Sequence, residues 1–446
     1  MLLKSQTILK SIILIKILNG NSLEELKKFP DNYFHSVVTD PPYGLSFMGK
    51  KWDYNVPSVG LWQEVLRVLK EGGYLLSFSG TRTQHRMAVN IEDAGFEIRD
   101  MIAWVYGSGF PKSHNIGKAV DKLQGNERDF LRIDSNGCNP NYKCSSKDSK
   151  NIEITKGNSE WEGWGTALKP ALEPITMARK PFKTTVANNV LKNGVGGINI
   201  DGCRVGADTS RGDRYNGKSA KGNNFGVGNI DDKKNTNEFW EVPVGRFPAN
   251  FIHDGSDEVK DLFPHTKSGN LNKGHKRGDT SVNYSTGGGI VKKNYGGDNG
   301  NASRFFYCAK ASKQDRNEGL EDFEEKISGH KGNFRCKLCG YQKSSGSPSK
   351  CENPVWEEIP LKPQQNNHPT VKPTDLMRYL VRLVTPKNGI VLDCFMGSGS
   401  TGKACALEGF NFVGIDLDKD YCKIAKARID KAIEDKKIME SQTKLF

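Results

Sequence analysis

The sequence predicts an α/β fold in two halves, separated along the chain by a large central insertion. Two observations lead to this prediction. Near both ends of the 446-residue chain, short apolar runs alternate with amphipathic segments, which is the pattern of βαβ units in a parallel sheet. Between them this alternation is lost, and glycine and asparagine become dense, with lysine and arginine interspersed. We therefore divide the chain into residues 12–115, 116–365 and 366–437.

In the first half, the apolar run 11–15 is bracketed by Lys10 and Lys16 and is too short to cross a membrane, so we interpret it as a strand. No small-residue cleavage site follows it, which argues against a signal peptide. The other predicted elements of this half alternate along the chain: helix 22–29, strand 34–39, helix 61–69, strand 74–78, helix 84–94, and strands 96–98 and 101–105.

The last part of the chain resumes the same alternation. Strand 389–393, helix 401–407 and strand 412–416 are followed by a closing helix with apolar residues at helical spacing over 422–433. The two ends of the chain therefore resemble each other in architecture, and the middle differs from both.

The composition indicates a soluble protein, and its excess of positive charge either serves solubility alone or indicates a polyanionic partner. Hydrophobic residues make up 36% of the chain, enough for a core, and mean hydropathy is −0.61. The 65 lysines and arginines exceed the 52 acidic residues, and the resulting charge of +13 favours nucleic acid. Ten scattered cysteines fit a reducing compartment, so we expect a cytoplasmic protein with no membrane partner.

A stiff polar loop follows strand 34–39. Its residues are Asp40, Pro41, Pro42 and Tyr43. The carboxylate can accept hydrogen bonds, the prolines leave backbone carbonyls without competing local donors, and the ring can stack on a flat ligand. This combination suits the exocyclic amino group of a nucleobase.

A glycine loop follows strand 389–393. Gly397, Gly399 and Gly402 allow a tight turn and a close backbone approach to a ligand, and Asp416 ends the next strand, where an acid can bind ribose hydroxyls. This spacing also satisfies the dinucleotide fingerprint, so NAD is a competing ligand. Asp393 argues against NAD because it would repel a pyrophosphate, whereas it suits a cofactor that carries a sulfonium and an ammonium.

Asp-Pro-Pro-Tyr and the Phe-x-Gly-x-Gly loop at Phe395 resemble the motifs of amino DNA methyltransferases. Because the catalytic motif precedes the cofactor motif, the chain is similar to the beta class of this family. Gly44 and the short segments 48–50, 52–53, 107–113 and 167–171 are similar to phage and prophage adenine methylases in particular. The resemblance implies a circularly permuted Rossmann-like fold of S-adenosylmethionine-dependent methyltransferases. It also implies a catalytic half (12–115), a target-recognition insertion (116–365) and a cofactor-binding half (366–437).

The resemblance further implies the site residues. Asp40, Pro41, Pro42 and Tyr43 would be catalytic. The segment from His368 to Pro373 is similar to one that lines the methionine end of the cofactor in this family. The full set expected to bind S-adenosylmethionine is Asn21, His368, Thr370, Lys372, Asp393, Phe395, Gly397, Ser398, Gly399, Thr401 and Asp416.

We therefore predict a methyltransferase that acts on the exocyclic N6 of adenine in double-stranded DNA. Asp at the first motif position favours adenine, since cytosine-N4 enzymes of the family usually carry Ser there; cytosine-N4 transfer is the alternative. A rival of another class is a non-catalytic nucleic-acid-binding protein that retains the fold. A homodimer and a cognate restriction endonuclease are further expectations.

The insertion also contains half of a zinc-binding motif. Cys336 and Cys339 have the spacing that lets two thiolates share one ion, and Cys351 follows after a Gly/Ser-rich stretch. His330 or Cys308 could supply a fourth ligand. We expect a structural zinc ribbon over 330–355, the alternative being a degenerate ribbon without metal.

Overall fold

The computed structural model of the chain describes most of the two predicted halves and parts of the insertion. The described residues are 13–45, 53–109, 113–134, 152–206, 245–267, 269, 299–309, 312–323, 326–327, 334–336, 342–343, 356–358, 363–366, 368 and 370–443.

Eighteen strands and ten helices are formed by these residues, together with two short 3₁₀ helices. The strands are β1 Ile15–Asn19, β2 Phe34–Thr39, β3 Leu69–Phe78, β4 Glu97–Val105, β5 Asp129–Asp134, β6 Ile152–Lys156, β7 Leu172–Arg179, β8 Phe251–His253, β9 His265–Lys267, β10 Asn299–Asn301, β11 Tyr307–Cys308, β12 Lys326–Ile327, β13 Phe334–Cys336, β14 Gln342–Lys343, β15 Trp356–Glu358, β16 Pro363–Gln364, β17 Ile390–Asp393 and β18 Asn411–Asp416. The helices are α1 Ser22–Leu26, α2 Val59–Val68, α3 Gln84–Asp93, α4 Ile116–Gln124, α5 Val186–Asn193, α6 Asp257–Lys260, α7 Lys313–Asn317, α8 Thr374–Val384, α9 Ser400–Glu408 and α10 Lys419–Thr443.

One nine-stranded sheet joins the two predicted halves. Its order is β1-β18-β17-β2-β3-β7-β4-β8-β11, and its first five strands are all parallel. The pairing of β17 with β2 and of β1 with β18 places strands from the end of the chain between strands from its start. This order is the permutation that the positions of the two motifs predict.

The hydrophobic core follows the same pattern, because it draws on both halves. Phe34, Trp62 and Leu75 from the first half are buried in one cluster with Leu392 and Val413 from the second. Burying such large side chains contributes roughly 1.5–3 kcal/mol each. The two halves are therefore stabilised as one body.

The sheet is mixed, whereas the alternation in the sequence predicted parallel strands. β7 runs antiparallel to both of its neighbours, β3 and β4. It belongs to the stretch that we assigned to the insertion, and its apolar residues alone did not reveal its direction. The two short strands predicted at 96–98 and 101–105 form the single strand β4, with a register shift between Ile98 and Asp100.

The chain separates into two compact units, one comprising residues 1–105 with 172–446 and the other comprising 106–171. In the smaller unit, β5 pairs with β6, and Trp161 packs edge-on against Trp164 with ring centroids 5.3 Å apart. The division into three functional segments stays a prediction. None of the helices in the described part of the chain combines the length and apolar character that crossing a membrane requires.

Candidate active site

Polar residues converge at the edge of the sheet where its parallel strands end. Asp40 follows β2, Asp393 ends β17 and Asp416 ends β18. Because β7 is antiparallel, its first residues lie at the same edge, and this brings Glu173 there as well. Ligands of open α/β sheets bind at this edge, outside the carboxyl ends of the strands.

Asp40 lies in a cluster of four polar side chains. Lys372 Nζ donates to Asp40 Oδ2 over 2.7 Å and lies 3.2 Å from Glu173 Oε2. The Tyr43 hydroxyl lies 2.8 Å from Asp40 Oδ1 and 3.1 Å from Glu173 Oε2, and it accepts from Lys372 Nζ over 3.2 Å. All four side chains are largely shielded from water. The cluster therefore holds two carboxylates around one ammonium.

The electrostatics of the cluster follow from burial and charge. Burial by itself would lower the pKa of Lys372, but the carboxylates of Asp40 and Glu173 outweigh it and raise that pKa above its ordinary value. Burial, and then the two negative charges, raise the pKa of Tyr43 well above its ordinary value. Lys372 is thus a cation and Tyr43 a neutral donor at any physiological pH.

A carboxylate outside this cluster, that of Asp53, holds the backbone of the loop after the two prolines. Its Oδ1 accepts from the Tyr43 and Gly44 amides at 2.6 and 3.0 Å, and its Oδ2 accepts from the Leu45 amide at 3.2 Å. The side chain is only 2% exposed. Three successive N–H groups on one carboxylate form an anion nest that fixes the direction of the Tyr43 ring.

The glycine loop, which we call the glycine cradle, packs tightly against His368 and Ala425. Gly397 and Gly399 have φ values of +52° and +77°. A Cβ on Gly397 would lie 2.6 Å from His368 Nε2, and one on Gly399 would lie 2.7 Å from Ala425 Cβ. The loop therefore needs glycine for its conformation and for the close packing of its neighbours.

Asp393 links this loop to the catalytic loop. Its Oδ1 accepts from the Thr39 hydroxyl at 2.7 Å, across 354 positions of the chain, and its Oδ2 accepts from the Thr401 hydroxyl at 2.5 Å. The Phe395 amide is a third donor, at 3.1 Å. Burial outweighs these bonds and raises the pKa of Asp393 to about 6. Since Thr39 directly precedes Asp40, this carboxylate sets the distance between the two loops.

Asp416 and His368 flank the glycine cradle. Asp416 accepts from the Gly397 amide at 2.8 Å and from the Asp418 amide at 2.8 Å, and burial raises its pKa. His368 bonds the Thr370 carbonyl at 2.7 Å and packs edge-on against Tyr421 at 4.5 Å. Burial lowers the pKa of His368 to about 4, so its ring is neutral.

The remaining predicted cofactor residues lie at or beside this cradle. Ser398 is buried, and its carbonyl and hydroxyl accept from the fully buried Arg428 at 2.7 and 3.1 Å. Asn21 caps α1 by accepting from the Leu23 amide at 3.0 Å, and the adjacent Ser22 donates to the Cys394 carbonyl of the loop at 2.5 Å. Lys372, expected at the methionine end, places its ammonium on the catalytic carboxylate instead of in the cradle.

The structure does not test the predicted zinc ribbon. Cys339 and Cys351 lie outside the described residues, and Cys336 is described only as the last residue of β13. Within the described ranges, no three His, Cys, Asp or Glu side chains are grouped to hold a metal ion. The zinc site stays a prediction.

Sequence reasoning missed three residues of this region: Thr39, Asp53 and Glu173. A threonine at the end of an apolar strand is a weak signal, whereas Asp53 lies in one of the short segments that resemble phage and prophage adenine methylases. Glu173 also had a signal, because it continues the sequence Leu168-Lys169-Pro170-Ala171-Leu172, part of which we had linked to the family. Its contribution depends on the antiparallel direction of β7, which only the tertiary structure shows.

Comparison with known proteins identifies a matching family and several relatives. The model of the N6/N4 family, described as DNA methylase, matches residues 34–427. The chain is 26% identical over 229 residues to the type II methyltransferase M.HindIII of Haemophilus influenzae, an alignment that covers 41% of this chain and 64% of that protein. It is 33% identical over 102 residues to the DNA adenine methyltransferase YhdJ of Escherichia coli, covering 21% and 34% of the two chains.

Among solved structures, the cytosine-N4-specific PvuII DNA methyltransferase aligns with 92% of this chain and 85% of its own, at 12% identity and a TM-score of 0.38. The curated relatives are matched over less than two thirds of their own length, 64% for M.HindIII and 24% for M2.LlaDCHI of Lactococcus lactis.

The fold, the acid-proline-proline-tyrosine loop and the glycine cradle together define an α/β methyltransferase of the amino-directed class. Because the family model matches most of its length, the chain belongs to the N6/N4 DNA methylase family. The predicted fold class is confirmed. The predicted cofactor, S-adenosylmethionine, is bound in a solved structure of M1.HpyAVI, which aligns with 94% of this chain and 100% of its own at 16% identity and a TM-score of 0.35.

Proposed function

We propose that this protein methylates the exocyclic N6 of adenine in double-stranded DNA. The observation that carries the proposal is the cluster around Asp40, in which a carboxylate, a fixed aromatic ring and a charge-compensating lysine lie together at the ligand-binding edge of the sheet. A non-catalytic binding protein would gain nothing from burying two acids and a lysine, since desolvating such charges costs stability.

In this proposal, Asp40 accepts one hydrogen bond from the target amine and the Pro41 carbonyl accepts the other. The two acceptors draw the amine nitrogen toward sp³ geometry and direct its lone pair out of the base plane. Tyr43 stacks on the base, which has to leave the duplex to reach this loop. Its hydroxyl is tied to the two carboxylates and its amide to Asp53, so the ring is positioned before the base arrives.

Lys372 occupies one oxygen of Asp40, where the amine would bind. Glu173 lies 3.2 Å from the same ammonium and provides a second counter-ion. We assign Glu173 a positioning role: it holds Lys372 as the amine takes its place on Asp40, so that the buried ammonium keeps a carboxylate partner.

The residues at the glycine loop fit the methyl donor. Gly397 and Gly399 give the loop a left-handed backbone conformation and close packing that a side chain would prevent, and Asp416 stands where a ribose would be bound. Asp393 faces no cation among the described residues, which suits a ligand that carries positive charge. Asn21, His368, Thr370, Phe395, Ser398 and Thr401 complete the proposed cofactor contacts. When bound, S-adenosylmethionine would supply an electrophilic methyl group on its sulfonium.

The choice of adenine rests on Asp at the first motif position. One relative named above is an adenine enzyme and one solved structure is cytosine-N4-specific, so family membership is compatible with either base. The duplex DNA partner, a homodimer, a cognate restriction endonuclease, kinship with phage methylases and a cytoplasmic location all stay predictions.

The test is methylation of unmodified duplex DNA with isotope-labelled S-adenosylmethionine, followed by separation of the nucleosides. We expect the label in N6-methyladenine, and none with the Asp40→Asn variant under the same conditions. Label in N4-methylcytosine would overturn the base assignment. Absence of label from the wild-type reaction, with cofactor binding intact, would overturn the enzymatic function.

A further inference from the structure

A basic surface borders the catalytic loop, and the mechanism above does not use it. It consists of Arg82, His85 and Arg86, which line a cavity of about 320 Å³ together with Thr83, Gly44 and Leu45. The three basic side chains are exposed, and two of the other lining residues directly follow Tyr43 in the chain. We refer to Arg82, His85 and Arg86 as the basic trio.

The segment that carries the trio lies against the catalytic loop. It leaves the end of β3 through Ser79 and Gly80, beside the end of β2. A Cβ on Gly80 would lie 3.3 Å from Tyr43 Cδ2 and 3.1 Å from Leu45 Cδ1. The trio is therefore only a few residues from the ring on which the target base would stack.

The side chains of the trio differ from the other described arginines in having no partner among the described residues. In the described part of the chain, none of the three side chains has a hydrogen bond, ion pair or ring contact. Every other arginine whose side chain is described has a carboxylate, a carbonyl or an aromatic ring as partner. These are Arg67, Arg99, Arg128, Arg179, Arg204, Arg246, Arg304, Arg316, Arg378, Arg382 and Arg428.

We infer that the basic trio binds the DNA backbone phosphates that flank the target nucleotide. This inference rests on the proposed function. A nucleotide whose base stacks on Tyr43 carries its phosphates one sugar away from that base, within reach of long side chains beside the loop. Guanidinium groups match phosphate oxygens in a bidentate manner, and the imidazole of His85 supplies a further N–H donor.

The arrangement also has a functional consequence. Phosphate contacts position the duplex without reading its sequence, so the trio would act on every site that the enzyme encounters. By holding the backbone on both sides of the extruded nucleotide, it would favour the flipped state and leave sequence recognition to other segments.

The experiment compares two double variants that each remove two positive charges. In Arg82→Gln/Arg86→Gln the trio loses its guanidinium groups. In the control, Lys192→Gln/Lys387→Gln, two exposed lysines without a partner among the described residues are changed. Both control positions lie toward the opposite edge of the sheet, since Lys387 precedes β17 and α5 bonds to Glu71 in the first part of β3.

Binding of a labelled unmodified duplex is measured by fluorescence anisotropy from 50 to 300 mM KCl, together with steady-state methylation. For the trio variant we expect the slope of log affinity against log salt to become shallower by about 2, and KM for DNA to rise about tenfold. The turnover number should change less than about twofold, and affinity for S-adenosylmethionine should be unchanged. The control variant should keep the wild-type slope and KM.

A trio variant with wild-type slope and KM, tested beside a wild-type enzyme that methylates DNA, would overturn this inference and leave the proposed function standing. So would a variant that loses binding of inorganic phosphate while its DNA binding is unchanged. If the wild-type protein does not methylate DNA at all, the proposed function fails instead, and the salt slopes still test whether the trio contacts the duplex.

Discussion

The two loops at the edge of the sheet place their acids in opposite electrostatic surroundings. Asp40, in the catalytic loop, has the ammonium of Lys372 at 2.7 Å. Asp393 and Asp416, at the cofactor loop, have only neutral donors among the described residues: two hydroxyls and three backbone amides. The catalytic side therefore carries its own cation, whereas the cofactor side is left with uncompensated negative charge.

This difference explains what each loop can bind. A neutral amine can approach Asp40 without adding charge to a cluster that already contains the ammonium of Lys372. Asp393 and Asp416 are better matched to a ligand that brings positive charge and hydroxyl donors. Burial raises the pKa of both acids, which is the cost of holding them without a counter-ion.

We expect the largest effect when the hydrogen-bond acceptor at Asp40 is changed. Asp40→Asn keeps the shape of the side chain but replaces one acceptor oxygen with an amide donor that opposes the target amine. We expect turnover to fall by about 10³-fold or more, with affinity for S-adenosylmethionine within about threefold of wild type. Single-turnover kinetics and calorimetric titration measure the two quantities. Retention of turnover would contradict the catalytic assignment.

At the cofactor loop, Asp416→Asn should weaken the binding of S-adenosylmethionine. The variant keeps one acceptor oxygen but loses the charge that strengthens bonds to ribose hydroxyls, so we expect affinity for S-adenosylmethionine to fall about 10- to 100-fold. The matched control is Asp418→Asn, whose exposed side chain accepts from the Asp420 and Tyr421 amides. Equal losses in both variants would show that loop structure, rather than the ribose contact, is being measured.

Glu173→Gln tests whether Lys372 needs its second counter-ion. The substitution preserves volume and removes one charge, so Lys372 should remain more tightly on Asp40. We expect turnover to fall about tenfold with little change in KM for either substrate. Glu97→Gln is the control, because Glu97 pairs with Arg179 at the opposite edge of the sheet. An unchanged turnover in Glu173→Gln would remove the positioning role.

The last expected effect concerns stability rather than activity, and it is a pH dependence at Asp393. Its pKa of about 6 in the folded protein exceeds the ordinary value of 3.8, so the native state binds the proton more tightly than the unfolded state does. The contribution of this group therefore lowers stability as pH rises from about 4 to about 6, by at most about 3 kcal/mol. Below pH 4 both states are protonated and the contribution is constant.

Urea unfolding of the wild type and of Asp393→Asn is measured between pH 4 and pH 7. The effect is the pH dependence of the difference between their free energies of unfolding. A cationic ligand should lower the same pKa, so binding of S-adenosylmethionine near pH 6 should release a fraction of a proton from the wild type only. Calorimetry in buffers of different ionisation enthalpy detects that release. A pH-independent difference in stability, with equal proton release, would contradict the assignment.

Much of the cofactor side could be predicted from the sequence because its determinants are local. A strand, a glycine-rich turn and a helix follow one another from Gly389 to Leu407, and the next strand ends at Asp416. Backbone conformation and short-range packing dictate that arrangement. The structure adds the reason for particular glycines, since the neighbours of Gly397 and Gly399 leave no space for a side chain.

The catalytic side is different because its partners come from distant parts of the chain. Asp40 and Lys372 are 332 positions apart, and the direction of β7 decides that Glu173 joins them. Apolar patterning predicts that such a strand is buried, but it contains no information on which way the strand runs or where its polar end lies.

The sequence by itself therefore determined the two loops, their order along the chain, and from that order a permuted sheet in a methyltransferase of DNA amines. The net charge of +13 also follows from the sequence alone. Only the tertiary structure decided that Asp40 carries a lysine, that Asp393 connects the two loops through Thr39, and that Arg82, His85 and Arg86 have no partner among the described residues beside Tyr43. The physical reason is that motifs are set by local backbone chemistry, whereas the pairing of charges depends on which strand ends the fold brings to one edge.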